Sequence, residues 1–252
     1  KGILVNLYNF QDIFSKPLYE NAVFLMAGGM GKRLRPLTDK CPKPMLKLGG
    51  KPILEKIIIN FARAGFYKLF ISTHYMPQTI SDYFGDGKKW GVKIKYIHEE
   101  EPLGTGGSLG LLPHQEIDKP MFVMNGDLLT SIDLTSFLNF HEINNGVATM
   151  CVREYEHTVP YGVITSKGVK IKSMIEKPTY RYFVNAGIYL LNPSLIKSVK
   201  PGTNIDMPSL LESFISKGQI VNTFPIHEYW LDIGRIDQFK KAQSDLLDNE
   251  LY

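Results

Sequence analysis

The feature that most constrains the fold of this chain is a run of apolar residues, 22–26, that ends directly at a glycine-rich loop. A continuous apolar run, without alternation, is typical of a strand that is buried on both faces of a sheet. The loop, residues 27–36, combines three glycines with three basic residues. Because glycines let backbone N–H groups approach an anion closely, the pattern predicts a phosphate-binding loop at the carboxyl end of a buried strand.

Two common phosphate-binding patterns do not match this loop. A P-loop has the pattern GxxxxGK[ST], whereas Gly28, Gly29 and Gly31 give GGxG. The dinucleotide-binding pattern GxGxxG does not match either, because its glycine spacing differs. A tight turn after a strand would explain one or two glycines, but it would not explain the adjacent Arg33 and Arg35.

Strand-like and helix-like segments alternate after the loop. The predicted strands are 69–73, 92–97 and 121–124, and the predicted helices are 52–64, 77–84, 108–112 and a segment around 134–141. This alternation predicts an α/β fold: a Rossmann-like open mixed sheet, mostly parallel, with helices on both faces. Ligands of such sheets bind at the carboxyl ends of the strands.

The second half of the chain has a different pattern. Strand-like segments with short polar breaks predict a small extension of the sheet that holds a second substrate, and they are 147–152, 162–165, 171–176 and 183–191. Two more helices are predicted at 206–216 and 236–247. Residues 1–20 have no core of their own, so we expect a linker or the tail of an absent upstream domain there, with 21–252 as one domain.

Composition and charge exclude several classes of protein. The formal net charge is +4, and Lys and Arg are scattered, which excludes a nucleic-acid binder and suits an enzyme of anionic metabolites. No apolar run reaches the roughly 18 residues of a membrane span, so no membrane partner is expected. Cys41 and Cys151 lack metal-ligand spacing and indicate reduced thiols in a cytoplasmic protein.

The glycine-rich loop also carries a resemblance to a known family. Residues 26–38 read MAGGMGKRLRPLT, and residues 42–46 read PKPML. Together they closely resemble the signature of the sugar-1-phosphate nucleotidyltransferases, also called NDP-sugar pyrophosphorylases. The resemblance covers about residues 21–245 and implies a GT-A-like nucleotidyltransferase fold. It implies that Arg33 and Lys43 are catalytic cations, and that the nucleotide is bound by Ala27, Gly28, Gly29 and Gly31.

A second glycine cluster, residues 102–109, follows a predicted strand and opens a predicted helix. The equivalent family segment contacts the nucleobase, which implies nucleotide-binding roles for Leu103, Gly104 and Thr105. Members often carry Gln where this chain has Glu99, and a carboxylate can accept two hydrogen bonds from the N1–H and 2-amino edge of guanine. Glu99 therefore favours GTP. The other interpretation is that residues 99–101, three glutamates, are only a solvated acidic run.

Two aspartates are candidates for a metal site. Asp127 ends a predicted buried strand where family members bind Mg²⁺, and Asp232 resembles the family's second metal-binding aspartate. Two carboxylates close together are costly unless a cation lies between them, and Mg²⁺ would neutralise the phosphates. We therefore expect both to hold Mg²⁺, with Asp127 also catalytic. The alternatives are a turn cap at Asp127 and a helix N-cap at Asp232.

Three further blocks match the family in order and spacing: residues 161–163, 176–178 and 185–189. The resemblance implies that they form the pocket for the sugar phosphate. The residues implicated are Gly162, Glu176, Lys177, Asn185 and Gly187. Glu176 and Asn185 would bind sugar hydroxyls, and Lys177 would bind the phosphate.

The resemblance implies an enzyme that converts a sugar 1-phosphate and a nucleoside triphosphate to an NDP-sugar and pyrophosphate. GTP is favoured, with glucosamine, mannose or heptose 1-phosphate, for cell-surface polysaccharides. Three alternatives stay open: a uridylyl- or thymidylyltransferase acting on glucose 1-phosphate, a transferase for a non-sugar acceptor such as phosphocholine, and a catalytically silent regulatory protein. Residues 1–16 resemble the segment that joins a CBS-pair module to some bacterial members. A homo-oligomer is left open.

Overall fold

The computed structural model of the protein describes residues 18–247, so most of the segment predicted to be a linker or upstream tail lies outside the described residues. The strands are β1 (Val23–Met26), β2 (Lys47–Leu48), β3 (Lys51–Pro52), β4 (Lys68–Thr73), β5 (Lys93–His98), β6 (Met121–Asn125), β7 (Leu128–Thr130), β8 (Ala148–Thr158), β9 (Val163–Lys167), β10 (Lys170–Ile175), β11 (Thr179–Leu191), β12 (Val221–Ile226) and β13 (Trp230–Asp232). The helices are α1 (Ile53–Ala64), α2 (Pro77–Phe84), α3 (Gly104–Gly107), α4 (Leu134–Ile143), α5 (Pro193–Ser198), α6 (Met207–Ile215) and α7 (Ile236–Leu247).

Seven strands form the central sheet, in the order β12-β8-β11-β6-β1-β4-β5. β11 runs antiparallel to both of its neighbours, and the other neighbouring pairs are parallel. The prediction of a mixed, mostly parallel α/β sheet is confirmed. β1 lies between β4 and β6, so the carboxyl ends of these three strands meet at one edge of the sheet.

Both faces of the sheet are buried, as the continuous apolar run at β1 predicts. Val23 and Leu25 pack into one hydrophobic core with α1 and α4, whereas Phe24 packs into a second core with α5 and α6. In the first core the rings of Phe61 and Phe122 pack edge to face with centroids 5.4 Å apart. Burial of each such ring contributes about 1.5–3 kcal/mol, so both layers stabilise the sheet that carries the loops.

Several elements differ from the sequence-based expectation. The helix predicted at 108–112 begins earlier, as α3, and continues as a 3₁₀ turn over Ser108–Leu111. The pattern did not predict β12, which lies at the sheet edge and tolerates Pro225 there because an edge strand has a free N–H side. The short pair β7 and β13 and the helix α5 were also not predicted.

The second half of the chain extends the sheet on one side. β8 has 11 residues and β11 has 13, whereas β6 pairs only with the last four residues of β11. The long ends of β8 and β11 therefore project beyond the sheet, and β9 and β10 form a separate hairpin at their tip. None of the helices between residues 18 and 247 combines the length and the hydropathy that crossing a membrane requires.

A buried histidine joins α4 to this half of the sheet. His141 is 2% exposed, its Nδ1 lies 2.8 Å from Thr149 Oγ1, and its Nε2 lies 3.0 Å from Asn192 Oδ1. Because the amide oxygen of Asn192 can only accept, Nε2 donates and the Thr149 hydroxyl donates to Nδ1 in the neutral ring. Burial lowers the pKa of His141, so the fold favours the neutral form.

We expect the stabilising effect of His141 to depend on pH. Its folded-state pKa lies below the unfolded value of roughly 6.5, so its contribution is complete above that pH and is lost as pH falls through the folded value. His141→Leu should reduce the free energy of unfolding by about 1–3 kcal/mol at pH 8 and by less at pH 5, since Thr149 and Asn192 lose their partner. Urea unfolding at both pH values measures this. An equal reduction of the free energy of unfolding at both pH values would contradict a neutral, buried His141. A similar pH-dependent reduction in the exposed His157→Leu control would contradict it as well.

Candidate functional site

The glycine-rich loop leaves β1 at the edge of the sheet where β4 and β6 also end. The Ala27 N–H donates to the Ser72 carbonyl at 3.1 Å, which continues the sheet by one residue. Gly31 adopts a φ of +63°, and a Cβ there would lie 2.9 Å from the Thr38 methyl group. Gly29 has open space on its Cβ side. The loop is therefore tightly folded at Gly31 and open at Gly29, whereas Gly28 lies against His74 and the Glu99 carboxylate.

Asp127 is brought to the same loop by a close backbone contact. The Gly126 N–H donates to the Met26 carbonyl at 2.9 Å, and a Cβ on Gly126 would lie only 2.8 Å from that oxygen. Glycine is thus required between Asn125 and Asp127 by the approach of β1. The Asp127 carboxylate lies directly beside the phosphate loop.

Asp232 reaches this point through a pair of short strands. β13 pairs antiparallel with β7, with Asp232 opposite Leu128, and the Ile233 N–H donates to the Asp127 carbonyl at 3.3 Å. The alternative of a helix N-cap at Asp232 is wrong, because Asp232 ends β13 and α7 begins at Ile236. The structure therefore brings together the two aspartates that the sequence singled out.

Lys43 lies between the two carboxylates. It is 8% exposed, in a short 3₁₀ turn between Pro42 and Pro44, and its Nζ contacts Asp127 Oδ2 and lies 3.9 Å from Asp232 Oδ1. Burial and the Asp127 charge raise the pKa of Asp232, and the charges of Lys43 and Arg33 oppose that shift. The ammonium group thus stabilises a carboxylate pair that would otherwise repel.

The donor set of this pair fits Mg²⁺. Asp127 Oδ1 is buried and has no hydrogen-bond partner, so this oxygen could serve as a ligand of a metal ion. Within residues 18–247, no cluster of three or more His, Cys, Asp or Glu side chains surrounds the pair. Mg²⁺ is commonly held by one or two carboxylates together with substrate phosphates, which two aspartates beside a phosphate loop would allow. The metal-binding roles of Asp127 and Asp232 stay predictions.

Arg33 lies on the open side of the same pair. A Cβ added to Gly234 would be 3.5 Å from Arg33 Nη2 and 3.6 Å from Asp232 Oδ2, so the guanidinium and the carboxylate both border Gly234. Arg33 is exposed, whereas Arg35 pairs with Asp39 at 3.3 Å. Arg33 is therefore the arginine of the loop that stands next to Asp232, and its role as a catalytic cation stays a prediction.

Glu99 lies in the wall of the cleft and not in a solvated run. It is 6% exposed, whereas Glu100 and Glu101 are exposed, so the acidic-run interpretation is wrong for Glu99. Its Oε2 accepts the Leu103 N–H at 3.3 Å, and its Oε1 would lie 3.1 Å from a Cβ on Gly28. The Thr73 carbonyl and the His74 ring hold its backbone at 2.8 Å each. The carboxylate is thus fixed opposite the first glycine loop.

The second glycine cluster is shaped by a segment of the chain that the sequence did not connect to it. Gly104 has a φ of +75°, and a Cβ there would lie 2.7 Å from the Ile205 carbonyl oxygen. That oxygen accepts the N–H groups of Gly106 and Gly107 at 2.8 and 3.0 Å. The glycines therefore admit the backbone of residues 203–206, which brings Asp206 into the cleft wall.

The two glycine loops and the strand ends enclose a cleft of about 270 Å³. Its lining includes Gly28, Lys43, Glu99, Gly104 and Asp127, so residues expected to bind the nucleotide and the metal share one site. Asp206 and Asn125 also line it, and sequence reasoning missed both. The position of Asn125 directly after a buried strand is the one signal that could have identified it.

The expected sugar residues form two separate groups. The Asn185 amide oxygen accepts the Gly187 N–H at 2.9 Å, and a Cβ on Gly187 would lie 2.6 Å from Asn125 Nδ2, so this group adjoins the cleft. A Cβ on Gly162 would lie 3.0 Å from Glu176 Oε2, at the base of the β9–β10 hairpin. Among the described residues, 18–247, Gly162, Glu176 and Lys177 do not line the cleft. Their roles stay predictions.

We expect Lys43 to compete with divalent cations for the aspartate pair. Lys43→Met should bind Mn²⁺, used here as a spectroscopic probe, roughly tenfold more tightly than the wild type when nucleotide is absent, because the resident ammonium is removed. Asp127→Asn should weaken binding. Electron paramagnetic resonance titration of free Mn²⁺ measures both. The exposed Lys47→Met is the matched control, and unchanged or weaker binding by Lys43→Met would contradict the competition.

Comparisons with known proteins agree with this geometry. The profile of a family described as "Nucleotidyl transferase" matches residues 22–249. The chain is 31% identical over 233 residues to a mannose-1-phosphate guanylyltransferase of Mycobacterium tuberculosis, covering 88% of this chain and 64% of that protein. It is 34% identical over 229 residues to a mannose-1-phosphate guanyltransferase of Yarrowia lipolytica, covering 85% and 61%. The chain thus spans less than two thirds of the length of these relatives.

Solved structures show the same architecture. HddC from Yersinia pseudotuberculosis, which has also been solved complexed with GMP-PN, is 25% identical with a TM-score of 0.70, covering 90% of this chain and 99% of that one. A putative glucose-1-phosphate thymidylyltransferase from Bacillus anthracis is 22% identical with a TM-score of 0.70, covering 88% and 94%, and this likeness supports the fold alone. With its family profile, its sheet and the conjunction of Lys43, Asp127 and Asp232, the chain belongs to the nucleotidyl transferase family.

Proposed function

We propose that this chain transfers GMP from GTP to a sugar 1-phosphate and releases pyrophosphate. The observation that carries the choice of GTP is the buried carboxylate of Glu99, whose Oε1 faces the cleft beside Gly28 while its Oε2 is held by the Leu103 N–H. The guanylyltransferase names of the relatives in M. tuberculosis and Y. lipolytica support the same base. They also make mannose 1-phosphate the first sugar to test.

Guanine suits Glu99 better than a pyrimidine does. An ionised carboxylate only accepts hydrogen bonds, and guanine offers it two adjacent donors, N1–H and the 2-amino group. Uracil and thymine offer a single N3–H between two carbonyl oxygens, whose lone pairs oppose a carboxylate. A uridylyl- or thymidylyltransferase is therefore disfavoured.

The reaction that this site supports is a direct displacement. A phosphate oxygen of the sugar 1-phosphate attacks the α-phosphorus of GTP, the bond to that oxygen forms, and the bond from the α-phosphorus to the bridging oxygen of the leaving pyrophosphate breaks. The attacking phosphate is already a competent nucleophile, so no covalent enzyme intermediate is required. The protein contributes alignment of the two substrates and stabilisation of the negative charge that shifts to the pyrophosphate.

The chain supplies that stabilisation with fixed cations and backbone amides. The backbone of Gly28 and Gly29, which lines the cleft, would bind phosphate oxygens, and the exposed guanidinium of Arg33 would take the leaving pyrophosphate. Lys43, held between two prolines, would turn from Asp127 to a phosphate oxygen. A Mg²⁺ ion held by Asp127 and Asp232, when bound, neutralises phosphate charge as a Lewis acid.

Other expectations stay predictions. They are the upstream CBS-pair module, a homo-oligomer, a cytoplasmic location and a role in cell-surface polysaccharide synthesis. Phosphocholine as an acceptor and a catalytically silent regulatory role stay alternatives that the substrate matrix would decide.

A substrate matrix tests the proposed function. The purified chain is incubated with Mg²⁺, each of GTP, ATP, UTP and dTTP, and each of mannose, glucosamine, heptose and glucose 1-phosphates, with phosphocholine as a non-sugar acceptor, and pyrophosphate release is measured. We expect turnover with GTP and a sugar 1-phosphate, and its loss in Asp127→Asn, whose preserved fold is verified by a cooperative thermal unfolding transition. Absence of turnover with every pair, or near-normal activity of Asp127→Asn, would overturn the proposal.

We expect Glu99 to read the 2-amino group of the base. The wild type should prefer GTP over inosine triphosphate, which lacks that group, and Glu99→Gln should lower kcat/KM for GTP by roughly 10- to 100-fold while losing most of the preference. Glutamine preserves the shape and can still accept the Leu103 N–H. Glu100→Gln, the exposed neighbour, is the control. If Glu99→Gln keeps the wild-type ratio between the two nucleotides, Glu99 does not contact the base edge.

A further inference from the structure

Asp206 occupies the N-cap position of α6 but does not cap it. A carboxylate in this position ordinarily accepts an N–H from the first turn of its own helix. Here the side chain makes no cap hydrogen bond, and the Met207 N–H donates instead to Thr105 Oγ1 at 2.8 Å. Asp206 Oδ1 accepts the Thr105 N–H at 3.1 Å. The carboxylate is therefore turned away from the helix and toward the glycine loop of the cleft.

The second carboxylate oxygen is available to a ligand. Asp206 is exposed and lines the cleft together with Asn125 and Ser108, and no donor within residues 18–247 contacts its Oδ2. An ionised carboxylate oxygen can accept two hydrogen bonds, so Asp206 presents free acceptor capacity inside the site. A group that only held the glycine loop would not need to face the cleft.

Asn125 connects Asp206 to the group expected to bind the sugar, because it lines the cleft together with Asp206 and borders Gly187. Burial raises the pKa of Tyr189 to about 12, and the negative charge of Asp206 adds to that shift. The Tyr189 hydroxyl accepts the Asn185 amide N–H at 2.6 Å, and Asn185 in turn fixes the Gly187 backbone next to Asn125. Asp206 therefore links the nucleotide loop at Thr105 to the group expected to bind the sugar.

The chemistry of the proposed substrates limits what Asp206 can bind. Phosphate oxygens are negative and would be repelled, and the guanine edge is taken by Glu99. The remaining donors of GTP and a sugar 1-phosphate are ring hydroxyl groups, which a carboxylate accepts well. Because Asp206 lines the cleft together with Asn125, and Asn125 borders the Asn185–Gly187 group, we expect a hydroxyl of the pyranose ring, and not of the ribose, to reach it.

We infer that Asp206 is a specificity-determining residue that accepts a hydrogen bond from a pyranose hydroxyl of the sugar 1-phosphate. This inference rests on the proposed function and adds the residue that reads the sugar. The dual use of the carboxylate, Oδ1 for the loop and Oδ2 for the ligand, would couple recognition of the sugar to the position of the nucleotide loop.

Deoxy analogues separate substrate recognition from a purely structural role. Pyrophosphate release is measured with GTP and mannose 1-phosphate, or its 2-, 3-, 4- and 6-deoxy analogues, for the wild type and Asp206→Asn. We expect Asp206→Asn to lower kcat/KM for mannose 1-phosphate by roughly 10- to 100-fold, as for loss of a hydrogen bond to a charged acceptor. For one deoxy analogue, wild type and variant should react at the same rate. Glu212→Gln, an exposed carboxylate on α6, is the matched control.

Two results would overturn the inference while leaving the proposed function intact. If Asp206→Asn lowers kcat/KM by the same factor for the parent sugar and for every deoxy analogue, the carboxylate only holds the Thr105 loop. If wild type and Asp206→Asn differ with GTP but react at the same rate with 2′-deoxyGTP or 3′-deoxyGTP, Asp206 contacts the ribose and the pyranose assignment is wrong. Absence of turnover by the wild type with every sugar would overturn the proposed function and this inference together. An unchanged thermal unfolding midpoint of Asp206→Asn verifies that the fold is preserved.

Discussion

The pairing of two three-residue strands, β7 and β13, is the constraint on which the rest of the site depends. It brings Asp232 beside Asp127 although the two lie about a hundred residues apart in sequence. Two carboxylates held this close are unfavourable by themselves, and the ammonium of Lys43 offsets their repulsion. The two strands are short, but they place two negative charges close together. A neighbouring segment must therefore supply a cation, which here is Lys43.

The glycines around the cleft are required for two different reasons. Gly31 allows the first glycine loop to pack closely against Thr38 and Lys43. Gly126 allows the segment before Asp127 to approach the Met26 carbonyl at the end of β1. Gly104 and Gly106 instead admit the backbone of residues 203–206, which approaches them to within a distance that a Cβ would forbid. The second loop is thus shaped by protein and not by ligand. A glycine-rich segment beside a binding site therefore does not by itself prove contact with the ligand.

The sequence predicted what depends on local pattern. Continuous apolar runs identified β1, β4 and β6, and the amphipathic spacing of residues 53–64 identified α1 with its end at Gly65, because burial on one or both faces leaves a periodic trace. The strand β13 left no such trace, since three residues are too few for a period and its partner lies far away in the chain. The burial of Glu99 was equally hidden, because Glu99, Glu100 and Glu101 are identical in type and only the tertiary fold separates them. Asp206 stood only at the start of the helix predicted at 206–216, and nothing in the sequence connected it to the cleft.

The arrangement of charge also explains how the site can keep the Lys43 ammonium buried and the Arg33 guanidinium beside Asp232. Lys43 is paired with Asp127, and Arg33 stands beside Asp232, so each of these two cations has a carboxylate next to it. This pairing allows an ammonium to be 8% exposed without the cost of an isolated buried charge. These two cations and two carboxylates together are close to neutral, so under the proposed function a triphosphate would gain little net attraction from Lys43 and Arg33 alone. Under the proposed function, Asp127 and Asp232 would hold the counter-cation of the triphosphate, and Lys43 and Arg33 would then be free to contact the phosphates.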